Sequence, residues 1–229
     1  MKSLNDHLYA KMFTDPTVKV GGYQEFKNEI QEACKAIFGR ILTPEDFVEL
    51  MAAPDGSELL IEAHQYDESI ELKLGYKWFN GSHDYVIYVE EEKRIVQIVN
   101  VYVKRDAPEL LETLLFAQQV KSFQEFGIDR IQLYAAGYPN DPSGYIGYYF
   151  WPRVGFVMYL GNVGAQLIES GIAYASDTLE LFSQPGGADW WYNHGNAGEA
   201  IFYLGAESPC VQALQIYLEE KGVNVNDES

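Results

Sequence analysis

Cysteine is almost absent from this chain. Cys34 and Cys210 are the only two in 229 residues, which excludes a disulfide framework and fits a reducing compartment. Positive charge is scarce as well: 16 Lys and Arg stand against 34 Asp and Glu, a formal charge of −18. Such a chain repels a phosphate backbone, so direct nucleic-acid binding is not expected. No apolar run reaches the roughly 18 residues of a spanning helix. The start, Met1 to His7, lacks the apolar core of a signal peptide. No membrane association is expected, and the expected location is cytoplasmic. The four histidines, His7, His64, His83 and His194, show no metal-ligand spacing, so no metal site is expected. No phosphate-binding P-loop, dinucleotide fingerprint, Gly-x-Ser-x-Gly elbow or internal repeat occurs.

What the chain does have is apolar and aromatic mass. Hydrophobic residues make up 47%, with 17 Tyr, 12 Phe and 4 Trp, enough for a folded globule with a sizeable core. The acidic residues are scattered apart from Glu90-Glu91-Glu92. Scatter suits solubility, and the alternative is a carboxylate-rich surface that engages a basic protein partner or mimics nucleic acid. Some aromatics would suit a homodimer interface.

Residues 23–38 carry Tyr23, Phe26, Ile30, Cys34, Ile37 and Phe38 at helical spacing. Thr43-Pro44-Glu45-Asp46 opens a second helix, with Thr43 as N-cap and Pro44 at its first position. Four strand-like segments follow at 58–65, 69–79, 84–90 and 94–103, separated by short breaks at 66–68, 80–82 and 91–93. The last segment, from Ile95 to Val103, is nearly continuous in apolar residues and reads as a central strand covered on both faces. Pro108 opens a helix ended by Gly127, and residues 129–135 form another strand. Strand, helix and strand make a right-handed crossover unit. The aromatic stretch 144–156 closes on Gly155-Phe156. Beyond it lie helices near 162–170 and 189–195, a weak segment at 176–183, a strand at 200–205, and a last helix opened by Ser208-Pro209.

This order resembles the core of the GNAT-type acyltransferases over residues 58–160. The features that carry the resemblance are the meander, the spacing from Tyr102-Val103 to Gly127, and the Gly155-Phe156 that closes the last core helix. It implies an α+β fold, a mixed, mostly antiparallel sheet with flanking helices; outside it, the segment pattern adds an N-terminal helical lead (1–57) and a C-terminal α/β extension (161–229) expected to pack on the core as one compact domain. It also implies an acyl-coenzyme A cofactor, acetyl-CoA or another, held by Val103, Lys104 and Arg105. Tyr148 or Tyr149 would be the acid and Glu90 or Glu92 the base, in a cleft between the central strand and the strand at 129–135.

The chain departs from the family pattern in two places. The loop Lys104-Arg105-Asp106-Ala107-Pro108-Glu109 has no glycine where the family's backbone N–H groups cradle pyrophosphate. Asp106 and Glu109 place negative charge there instead. Trp151 stands where the family often has its acidic Tyr. The expected function is therefore a degenerate GNAT-like protein without standard acetyl-CoA-dependent catalysis and with no cofactor, serving as an acidic binding or accessory module. The alternative is an acyltransferase relative that moves an acyl group to an amine from a nonstandard donor site. Trp151, Arg153, Trp190, Trp191, His194 and Asn196 are candidates for a ligand or partner pocket. The segment from Trp190 to Gly195 reads either as a hydrophobic plug or as the wall of that pocket.

Overall fold

The computed structural model of the protein describes residues 17–63, 68–76, 81–102 and 110–223. The described residues up to Arg130, together with Gly222 and Val223, form one compact unit and Ile131–Lys221 another. This division falls inside the 58–160 segment, and the N-terminal helices, which pack onto the meander, belong with it.

In the first unit, strand β1 (Lys19–Gly21) runs parallel to β2 (Glu58–Ala63). β2, β3 (Ile70–Tyr76), β4 (Gly81–Glu90) and β5 (Lys93–Tyr102) then form an antiparallel meander. The sheet is therefore mixed and mostly antiparallel. Helix α1 (Lys27–Phe38) buries Ile30, Ala33, Cys34 and Ile37 against β2, β3 and β4. Helix α2 (Pro44–Leu50) starts in a full capping box. Thr43 Oγ1 accepts from Asp46 N at 3.2 Å and Asp46 Oδ2 accepts from Thr43 N at 2.7 Å, so two orphan donors are satisfied reciprocally. Helix α3 (Leu111–Glu125) packs on α2 and is buried over most of its circumference. It begins after Leu110, which sits at φ +68°; Pro108, expected to open it, lies outside the described residues.

Two expectations change in the meander. Gly81 and Ser82, expected in a turn, already pair with Tyr76 and Gly75 inside β4. β5 is not covered on both faces: Val99 is 59% and Tyr102 53% exposed. Asp84 pairs with Asn100 but Tyr85 pairs with Ile98, so Val99 is an extra residue in β5. That bulge shifts the inward–outward alternation, and β-branched residues suit an exposed strand as well as a buried one.

Arg94 holds the far end of this unit together. Its Nε donates to Ile37 O at 2.7 Å and its Nη1 to Gly127 O at 3.0 Å, while its backbone N donates to Asp129 Oδ2 at 2.8 Å. A cation thus meets the C-terminal ends of α1 and α3, where the helix dipoles favour it.

In the second unit, β6 (Arg130–Ala135) lies next to β7 (Gly198–Tyr203). Helix α4 (Gly147–Arg153) packs on β7, and the short helices α5 (Gly164–Glu169), α6 (Thr178–Phe182) and α7 (Gly187–His194) follow. The last helix, α8 (Pro209–Glu220), is capped by Ser208 Oγ, which accepts from Cys210 N at 3.2 Å, and it packs on β7, α4 and α6. Gly155 sits at φ +101°, where a Cβ would lie 2.4 Å from Cys210 O. Only glycine lets the α4 exit turn approach α8 this closely. No helix among the described residues is long and apolar enough to cross a membrane.

Candidate functional site

The aromatic residues of 144–156 and 189–195 converge in the second unit. Tyr148 is buried; its hydroxyl donates to Tyr192 O at 2.8 Å, and Trp191 Nε1 donates to Tyr148 O at 2.7 Å. These reciprocal bonds lock α4 against α7. Burial first, then the neighbouring Tyr192 and Tyr149, push the Tyr148 hydroxyl above its ordinary pKa, so it holds its proton and spends it on a backbone carbonyl. Tyr149 meets Tyr192 edge-on at 4.9 Å and Phe182 at 6.4 Å. The Arg153 guanidinium lies 5.9 Å from the Tyr149 ring centre and 5.4 Å from that of Tyr217, and Glu220 Oε2 is 3.5 Å from its Nη2. Arg153, a pocket candidate in the sequence, is thus a carboxylate-paired cation between two tyrosine rings.

The other pocket candidates point elsewhere. Trp190 stacks on His194 with centroids 4.8 Å apart and bonds Ser170 Oγ through its Nε1 at 3.0 Å. His194 Nδ1 donates to Trp190 O at 2.9 Å, since a carbonyl oxygen can only accept. Trp151 meets Phe156 edge-on and Phe156 meets Phe202, forming a core ridge. Asn196 is exposed. In the first unit, Glu90 accepts from Arg130 Nη2 at 2.6 Å. Val103, Lys104 and Arg105 lie outside the described residues.

Sequence reasoning missed a buried polar chain in the first unit. Tyr76 and Tyr85 flank His83 on one sheet face, with Nδ1 lying 3.2 Å and 2.8 Å from their hydroxyls. Tyr85 Oη is 2.8 Å from Gln119 Nε2, which also donates to Met51 O at 3.2 Å. His83 Nε2 is buried without a hydrogen-bond partner. Burial lowers the His83 pKa from 6.5 to about 4 and raises those of both tyrosines, so the chain is neutral and proton-retentive. The available signal was Gln119, four residues from both Leu115 and Phe123 on a buried helical stripe.

A cleft of about 560 Å³ also lies in this unit, between Val18 and Val20, α2 and α3, with an apolar floor and Glu45, Glu49, Lys121 and Glu125 at its walls. None of the candidate catalytic, cofactor or pocket residues read from the sequence lines it. Among the described residues no three His, Cys, Asp or Glu side chains gather as a metal site. Neither a family model nor a curated protein sequence matches this chain.

Proposed function

We propose that this protein is an acidic binding module with a GNAT-like core, acting on a basic protein partner and without standard acetyl-CoA-dependent catalysis. The observation that carries this reading is the surface of the second unit. Seven of its tyrosines are exposed, from Tyr203 at 42% to Tyr159 at 73%. The same segment holds nine carboxylates against Arg153 and Lys221. Rigid aromatic faces among carboxylates are what a cationic partner needs, since both attract positive charge and tyrosine binds at low entropic cost. The Tyr148 hydroxyl, the first candidate acid, is engaged as a packing bond, which favours binding over catalysis. The GNAT-like reading draws on the meander, α3, β6 and the α4 turn at Gly155-Phe156. Two buried free cysteines are consistent with a cytoplasmic module.

One observation favours a second reading, an acyltransferase relative. The Val99 bulge in β5 is the kind of local defect that recurs beside active sites, where it re-aims backbone and side chains. Thermal denaturation with acetyl-CoA separates the readings. A ligand present at 100 times its dissociation constant adds about 2.7 kcal/mol, so a saturable rise in Tm would support the transferase, and an unmoved Tm is expected for the binding module.

A further inference from the structure

On the proposed function rests a more specific assignment, the place where the basic partner docks. Val157 and Ile201 exchange backbone hydrogen bonds of 2.8 Å and 3.0 Å as an antiparallel bridge. Residues directly opposite in such a pair share one face, as do residues two apart along each strand. Counted outward from that single bridge, Tyr159 and Val157 fall on the same face as Glu199, Ile201 and Tyr203, with position 159 level with 199, while along its other edge Tyr159 bridges Asp177. The other face of β7, Ala200 and Phe202, is buried. On the outer face Tyr159 is 73% and Tyr203 42% exposed, and Glu199 is exposed between them.

This makes a narrow apolar ledge with a phenol at each end and a carboxylate alongside. Four residues of strand separate the Tyr203 position from that opposite Tyr159, which is about 13 Å. In an extended peptide, side chains four residues apart lie on the same side at that spacing. The unit's own tyrosines already hold cations: Tyr149 and Tyr217 take Arg153, and Tyr217 takes Lys221. We propose that this ledge docks an extended segment of a partner protein carrying arginine or lysine at positions i and i+4. One cation would sit over Tyr159 beside Glu199 and the other over Tyr203.

The test is fluorescence anisotropy of the full chain with two labelled Gly/Ser peptides, one with arginines four residues apart and one with them three apart. Tyr159→Ala, Tyr203→Ala, the double variant and Glu199→Gln are compared with Tyr145→Ala, an exposed tyrosine off the ledge. Exposed cation–π contacts are worth a few-fold in affinity each. Each ledge tyrosine should therefore cost about 2- to 5-fold and the pair about 10-fold, with Tyr145→Ala neutral and the four-apart peptide tighter. If the peptides bind but the double variant binds as wild type, or spacing makes no difference, the ledge assignment is overturned while the binding module stands. If neither peptide binds wild type at low salt, the binding module itself falls and the ledge with it.

Discussion

His83 is the residue whose chemistry departs furthest from its ordinary state. Its imidazole is buried and neutral, with a pKa near 4 against 6.5 for an open chain. The unfolded chain therefore takes up a proton on falling below pH 6.5, and the folded chain does not until about pH 4. Stability must fall across that window and level off beneath it, by about 3 kcal/mol in full. His83→Phe should remove one proton from the slope of unfolding free energy against pH between 6.5 and 4, read by urea denaturation at a series of pH values. An unchanged slope would show that the imidazole is not held neutral. Tyr148 makes the complementary case. Its hydroxyl serves Tyr192 O, so Tyr148→Phe should lower stability by about 1 kcal/mol and leave peptide binding intact. The Tyr76–His83–Tyr85–Gln119 chain joins residues up to 68 positions apart, counting Met51 O. No local pattern announces such a contact, although a glutamine within an apolar helical stripe was a readable hint. In the second unit the sequence marked two aromatic segments, 144–156 and 189–195, but could not apportion their side chains. Tyr148, Tyr149, Arg153 and Trp191 gather, while Trp151, Trp190 and His194 turn to other neighbours.

At the scale of elements, local signals were the legible part. Thr43-Pro44, Ser208-Pro209, Gly127 and Gly155 each mark an element end through chemistry confined to a few residues, and each lies at such an end in the fold. The β4–β5 hairpin was legible too, though its turn is ill suited to its residues. Glu91 and Glu92 form a two-residue loop between the paired Glu90 and Lys93, at φ +51° and +65°. Both positions need the left-handed region that Asn and Gly adopt readily and Glu does not. Glu91→Asn with Glu92→Gly should therefore raise stability by about 1 kcal/mol, measured as a higher denaturant midpoint at unchanged slope. A fall would mean that the carboxylates contribute more than the strain costs. β1 and the Val99 bulge were not legible. A three-residue parallel edge is created by its partner β2, and a bulge shifts strand phase by one residue without any compositional mark.

At the scale of the molecule, the low count of basic residues and the abundance of tyrosine meet on one unit. Nine carboxylates against two basic residues leave Ile131–Lys221 at a formal −7. Binding of a cationic peptide should therefore weaken as salt rises, because charges that attract across solvent are screened within about 10 Å at 0.1 M. The steepness of that loss separates surface attraction from an apolar contact. The antiparallel meander followed from the segment pattern, whereas the packing division between Arg130 and Ile131 did not. It depends on which elements the helices cover, and only tertiary contacts set that. The most direct measurement is thermal denaturation of the full chain in parallel with acetyl-CoA and with the arginine peptide, both in saturating excess at low salt. A Tm raised by the peptide and unmoved by acetyl-CoA is the expected result. A Tm raised by acetyl-CoA and unmoved by the peptide would contradict the binding module and restore the transferase.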